Sequence, residues 1–172
     1  MKYALTYGIL AGLVILAIFM PVLIILNQHS MAVGYLIMLA GLTLVFVGMK
    51  RFRDIERGGI VKFMPAFLLG LGISLVASII YVVGWEIYLS QTDYSMIDDY
   101  AREQLRDSRA AGMSGAELAR QTEEMAAMSA QFRENPLFRM GMIFLEIFPV
   151  GLIVSLVSAA LLRNPRFLRA AG

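Results

Sequence analysis

Two acidic residues stand inside otherwise apolar stretches, and they offer the most chemistry in the chain. Glu86 lies in Gly84-Trp85-Glu86-Ile87-Tyr88 and Glu146 in Phe144-Leu145-Glu146-Ile147-Phe148. A charged side chain in hydrocarbon costs about 2.5–3.5 kcal/mol even on the mildest scale. Such groups are expected to face a bundle interior and to handle a proton, an ion or a substrate. A structural role is equally concrete. Glu86 sits beside Trp85 and Tyr88, the composition of an interfacial belt. Glu146 could bond the Leu145 carbonyl, which Pro149 leaves without its usual donor, as Pro21 does for Ala17. The third polar candidate is His29, the one histidine.

Other chemistries find few residues to work with. The chain has no cysteine and one histidine, which excludes disulfides, thiolate catalysis and multi-histidine metal sites. No serine has a histidine base nearby in the sequence, and no Gly-rich phosphate loop is visible. Met96, Met113, Met125 and Met128 carry thioethers that suit Cu(I), but methionine more often fills gaps in apolar faces. No catalytic residue, metal or cofactor is therefore assigned. The pI near 9.0 comes from short basic loops rather than a nucleic-acid-binding patch.

The elements that must hold these residues follow from composition. Of 172 residues, 59% are hydrophobic and 16% charged, where a soluble domain carries about 25% charge. The chain reads as an all-α integral membrane protein. About 20 apolar residues cross a bilayer, and four stretches qualify: 3–26, 31–49, 63–89 and 140–162. The second is short and would cross with little tilt. With the third helix centred near Val76, Glu86 lies about 15 Å outward; with the fourth near Gly151, Glu146 lies about 7–8 Å outward. Side chains lean toward a helix's N-terminus. The two carboxylates are thus expected to converge inside the bundle. Arg139 is expected to lean away, and His29 to sit in the outer turn.

Charge sets the expected orientation. Lys2, the loop with Lys50, Arg51, Arg53, Arg57 and Lys62, and the tail with Arg163, Arg166 and Arg169 place nine basic residues on one side, against six on the other. Short basic loops stay in the cytoplasm. Both termini are then cytoplasmic, and residues 90–135 face outward. The five basic residues of the 50–62 loop are also candidates for anionic lipid head groups.

Residues 90–135 carry helical signals of their own. Ser95-Met96-Ile97-Asp98 and Ser114-Gly115-Ala116-Glu117 read as capping boxes. The first helix should stop at Gly112 and the second at Asn135-Pro136. Leu118, Met125, Met128 and Phe132 form an apolar stripe on the second. The expected organisation is a four-helix transmembrane domain (1–89 and 136–172) with a helical hairpin (90–135) inserted between its third and fourth helices.

Small residues recur on the spans: Ala4, Gly8 and Gly12; Gly34, Gly41 and Gly48; Ala66, Gly70, Ser74 and Ser78; Gly151, Ser155 and Ala159. Such faces let helices approach closely in lipid. They fit a compact bundle, and they could also serve a homo-oligomer or a partner membrane protein, as could the hairpin.

Two blocks carry a resemblance. They are GGIVKFMPAFLLGLGISLVASIIYVVGWEIY (Gly58–Tyr88) and NPLFRMGMIFLEIFPVGLIVSLVSAALLRN (Asn135–Asn164). With the acidic hairpin between them, the chain resembles a bacterial membrane family named domain of unknown function 4199. The resemblance implies a four-span inner-membrane protein with an inserted helical segment, and no activity. Three functional classes follow in order of preference. The first is a non-enzymatic scaffold or accessory protein working through the hairpin. The second is a proton- or cation-coupled transporter or channel subunit using Glu86 and Glu146. The third is an intramembrane enzyme acting on lipid.

Overall fold

A computed structural model describes residues 1–26 and 31–168. Among these residues the helices are α1 (Lys2–Leu26), α2 (Met31–Arg51), α3 (Phe63–Gln91), α4 (Ser95–Ala110), α5 (Gly115–Glu134) and α6 (Pro136–Leu162). Four of them, α1, α2, α3 and α6, are long and apolar enough to cross a membrane, and α4 and α5 form the hairpin inserted between α3 and α6. The chain is an all-α, multi-span membrane protein, as its composition leads one to expect. His29, and Ser30 as a cap for α2, fall outside the described residues.

Two helix ends differ from expectation, each for a local reason. The helix of the second span outlasts its apolar run. Past Arg51 it continues into a charged π-helical turn, Phe52–Glu56. Lys50 and Arg51 in the last turn of α2 complement the negative end of its dipole, and Lys50 Nζ donates to Asp54 Oδ2 at 2.6 Å. The fourth span begins at Pro136, four residues before the expected start. Asn135 Oδ1 accepts the Phe138 N–H at 3.1 Å, and proline at the first helical position has no N–H to leave orphaned.

The chain divides into two compact units, residues 1–83 with 144–172, and residues 84–143. In the first, glycines let helices touch. A Cβ on Gly12 would lie 2.6 Å from Ile80 Cβ, and one on Gly151 would lie 2.7 Å from Ser74 Cβ. Gly41 is closed off in the same way by Ile15, and Gly48 by Tyr7 and Ile73. The small-residue faces are thus used between α1, α2, α3 and α6, where close packing rather than hydrophobicity holds helices together in lipid. Ser74, Ser78 and Ser155 are buried there and bonded: Ser155 Oγ donates to the Gly151 carbonyl at 2.7 Å and Ser78 Oγ to the Ser74 carbonyl at 2.8 Å. Large apolar side chains such as Leu5, Leu13, Leu36, Leu68 and Ile153 point outward, as a lipid-facing surface requires.

In the second unit the chain leaves α3 through Asp93 and Tyr94, both with left-handed backbone (φ 48° and 58°). The expected capping box at Ser95 is not formed. Ser95 is already helical, and backbone bonds close the turn: Tyr94 N–H to Leu89 O at 3.0 Å, Ser95 N–H to Thr92 O at 3.0 Å. Asp98 instead accepts from Arg133 of α5 at 2.8 Å. Ser114 occupies the N-cap of α5 in extended conformation, but its hydroxyl makes no cap bond. The stop at Gly112 holds. Met113 N–H reaches Ser108 O and Gly112 N–H reaches Arg109 O, both at 3.0 Å, and Gly112 has φ +92°. This is a Schellman ending, which needs a residue free to turn left-handed. Gly112→Ala should therefore cost about 1–2 kcal/mol and speed hydrogen exchange over 105–111 by roughly ten-fold. Ser114→Ala should leave it within two-fold of wild type. Equal effects from the two variants would contradict this reading of the turn.

Candidate functional site

The polar centre of the 84–143 unit is Arg139, three residues into α6. Its side chain is 3% exposed, and that of Glu86 near the end of α3 is 18% exposed. Arg139 Nε donates to Glu86 Oε1 and Nη2 to Oε2, both at 2.7 Å, a bidentate pair. Nη1 donates to the carbonyls of Phe132 at 2.9 Å and Arg133 at 3.1 Å. These are last-turn carbonyls of α5, which have no partner inside their own helix. The guanidinium also lies over the Tyr94 ring, 4.9 Å from its centroid. One side chain thus ties together the end of α3, the turn into α4, the end of α5 and the start of α6.

This arrangement corrects the expectation that Arg139 leans away. Glu86 lies five residues before the end of α3 and Arg139 three after the start of α6. At 1.5 Å per residue they sit about 7–8 and 4–5 Å from helix ends that are joined through the hairpin, and so at nearly the same level. With α6 starting at Pro136, Arg139 belongs to the helix rather than to the loop before it. Glu86 is satisfied by a guanidinium and not by a second carboxylate. Tyr94 and the α5 carbonyls carry no sequence motif that marks them.

The family described as protein of unknown function (DUF4199) matches residues 6–164. The chain belongs to this family. Its matched range takes in Glu86, Tyr94, the hairpin and Arg139. No curated protein and no solved structure matches the chain.

Glu146 is placed differently from the expectation that it faces the interior. The buried side of α6 runs through Ile147, Gly151, Ser155, Ser158, Ala159 and Leu162. Glu146 falls on the exposed flank with Leu145 and Pro149. At 100° per residue, Glu146 lies outside the arc that these buried side chains cover. Pro149 and Pro21 both lie within continuous helices, α6 and α1.

The five basic head-group candidates also separate. Arg53 is fully buried. Its Nη1 donates to the Phe167 carbonyl at 2.8 Å, Nη2 to that of Leu168 at 2.7 Å, and Nε to Asp54 at 2.7 Å. It is a clamp on the segment after α6 and is not presented to head groups. Lys50 is paired to the same Asp54. Arg51 Nη1 donates to the Tyr7 hydroxyl at 3.3 Å, and Arg57 lies over the Phe52 ring, 5.3 Å from its centroid. Arg51, Arg57 and Lys62 remain exposed. A buried arginine inside a basic loop looks like any other member of the loop in sequence. Among the described residues, no three acidic or histidine side chains gather as a metal site would require.

Proposed function

We propose that the protein is a non-enzymatic accessory or scaffold of the bacterial inner membrane, working through its inserted hairpin. The observation that carries this reading is the anchoring of the hairpin by Arg139. Four hydrogen bonds from one nearly buried guanidinium mount α5 on the ends of two spanning helices, and its contact with the Tyr94 ring adds the turn before α4. The mounted hairpin offers a shallow groove of about 500 Å³. Its floor includes Ala101, Leu105, Met125 and Ala126, and its rim includes Arg102 and Glu134. An apolar floor with a mixed-charge rim is the make-up of a surface that receives a peptide or helix. The domain organisation that goes with this reading is a membrane domain (1–89 and 136–172) bearing an external hairpin (90–135).

Charge supports an outward hairpin and cytoplasmic termini, since nine of the basic residues fall on the terminal side. In the cysteine-free chain, Ser114→Cys and Ala127→Cys should react with an impermeant thiol reagent on intact spheroplasts. Arg57→Cys should react only after lysis. The reverse pattern would invert the topology.

Photo-crosslinking tests the groove. A photoreactive residue at Ala126, in the groove, should give a discrete crosslinked species in cells. One at Glu123, exposed but outside the groove, should not. Equal labelling from the two sites, or none from either, would contradict the hairpin as an interaction arm. The transporter alternative loses support from Glu86, whose charge is matched by Arg139. Vesicles carrying the purified protein should leak protons no faster than protein-free vesicles. A flux abolished by Glu86→Gln would restore that alternative.

A further inference from the structure

We propose that α6 is a dimerisation helix, and that Glu146 meets its own counterpart from a second copy of the chain. Along the middle of the exposed face of α6 run Met142, Glu146, Pro149, Ile153, Leu156 and Ala160, with Leu145 and Val157 exposed on either side of them. Their spacing alternates four, three, four, three, four. This is the 3.5-residue repeat of a left-handed helix–helix seam, in which each side chain enters a hole on the facing helix. The glycine-rich faces of α1, α2 and α3 are closed by contacts within the chain, whereas the side chains of this seam on α6 are exposed among the described residues.

Glu146 makes the seam specific. It lies ten residues from the start of α6 and sixteen from its end. Seven residues separate it from Arg139 at the polar end of α6, about 10 Å along the helix and beyond the reach of a glutamate side chain. A carboxyl group held at that depth against lipid is costly, and such groups are normally covered by protein. Copies of one chain insert in the same direction, so two α6 helices cross in parallel and like positions face each other at equal depth. Glu146 then meets Glu146 of the second copy. A protonated carboxyl is both donor and acceptor, so an identical group on a two-fold axis satisfies it. Among the described residues, the basic side chains of α6 and of the segment after it are Arg139, Arg163 and Arg166, near the two ends of the helix and not level with Glu146. A single polar residue in an otherwise apolar seam fixes register and oligomeric state.

The test is dissociation by lipid dilution, read by energy transfer between labelled copies of the full-length protein in phosphatidylcholine vesicles. Wild type should associate reversibly, and Glu146→Gln, which keeps a donor and an acceptor, should match it. Glu146→Leu should weaken association by roughly three- to thirty-fold, the range of one hydrogen bond between membrane helices. Single cysteines at Met142, Ile153 and Leu156 should form disulfide-linked dimers on oxidation. Cysteines at Leu161 and Leu137, exposed but off the seam, should not. A monomer at all dilutions would overturn the proposal, whether because Glu146 is bare or because another protein covers it. So would a dimer indifferent to Glu146→Leu, or one that crosslinks off the seam.

Discussion

Arg139→Ala is expected to lower the stability of the folded protein by about 3–5 kcal/mol, because removing one partner of a buried pair strands the other. The loss has two sources. Glu86 would keep its charge beside Trp85 and Tyr88 with no counter-ion, and the Phe132 and Arg133 carbonyls at the end of α5 would lose their donor. Arg139→Lys should recover little, since a point charge cannot bind both carboxylate oxygens and two carbonyls at once. Replacing both partners, Glu86→Leu with Arg139→Met, should be milder than Arg139→Ala. Thermal unfolding in detergent, followed by circular dichroism, measures all four proteins. A midpoint for Arg139→Ala within a degree of wild type would show that the pair holds nothing.

Arg53→Ala should release the segment after α6. The guanidinium is buried and donates to Asp54 and to two backbone carbonyls, those of Phe167 and Leu168. Each buried group left unpaired costs about 1–3 kcal/mol. Asp54 keeps Lys50, so the loss falls mainly on the two carbonyls and on the cavity left behind. The expected total is about 2–5 kcal/mol. Tryptic cleavage after Arg166, next to the clamped Phe167, is the direct readout and should speed by at least ten-fold. An unchanged cleavage rate would mean that the clamp does not restrain the segment.

Much of the architecture was legible because membrane physics allows few alternatives. Backbone groups in lipid must bond within their own helix, so long apolar runs become spans wherever they occur. Gly112 and Asn135-Pro136 marked the hairpin's turn and end through their backbone preferences alone. The serine caps misled because a cap is one of several ways to satisfy a helix terminus. At Ser95 the backbone of the preceding turn does the job, and Asp98 is drawn to Arg133 instead. The polar centre was read only halfway. Glu86 was visible as an anomaly in an apolar run. Its partner was not, because Asn135-Pro136 signals the end of one helix and is also the beginning of α6, which brings Arg139 into the helix and to the level of Glu86. The orientation of Glu146 depended on which side of α6 packs, and a helix apolar on all sides gives no periodicity to decide it. Arg53 illustrates the same gap: burial of one arginine among five basic neighbours is a property of the tertiary structure.

The most direct test of Glu86 and Arg139 as the anchor of the hairpin is a double-mutant cycle read by hydrogen exchange over residues 127–133. The four proteins are wild type, Glu86→Gln, Arg139→Met and the double variant. If the pair anchors the end of α5, either single change speeds exchange by ten-fold or more, and the second change adds little to the first. Additive effects, or exchange already unprotected in wild type, would contradict the anchor and the accessory function built on it.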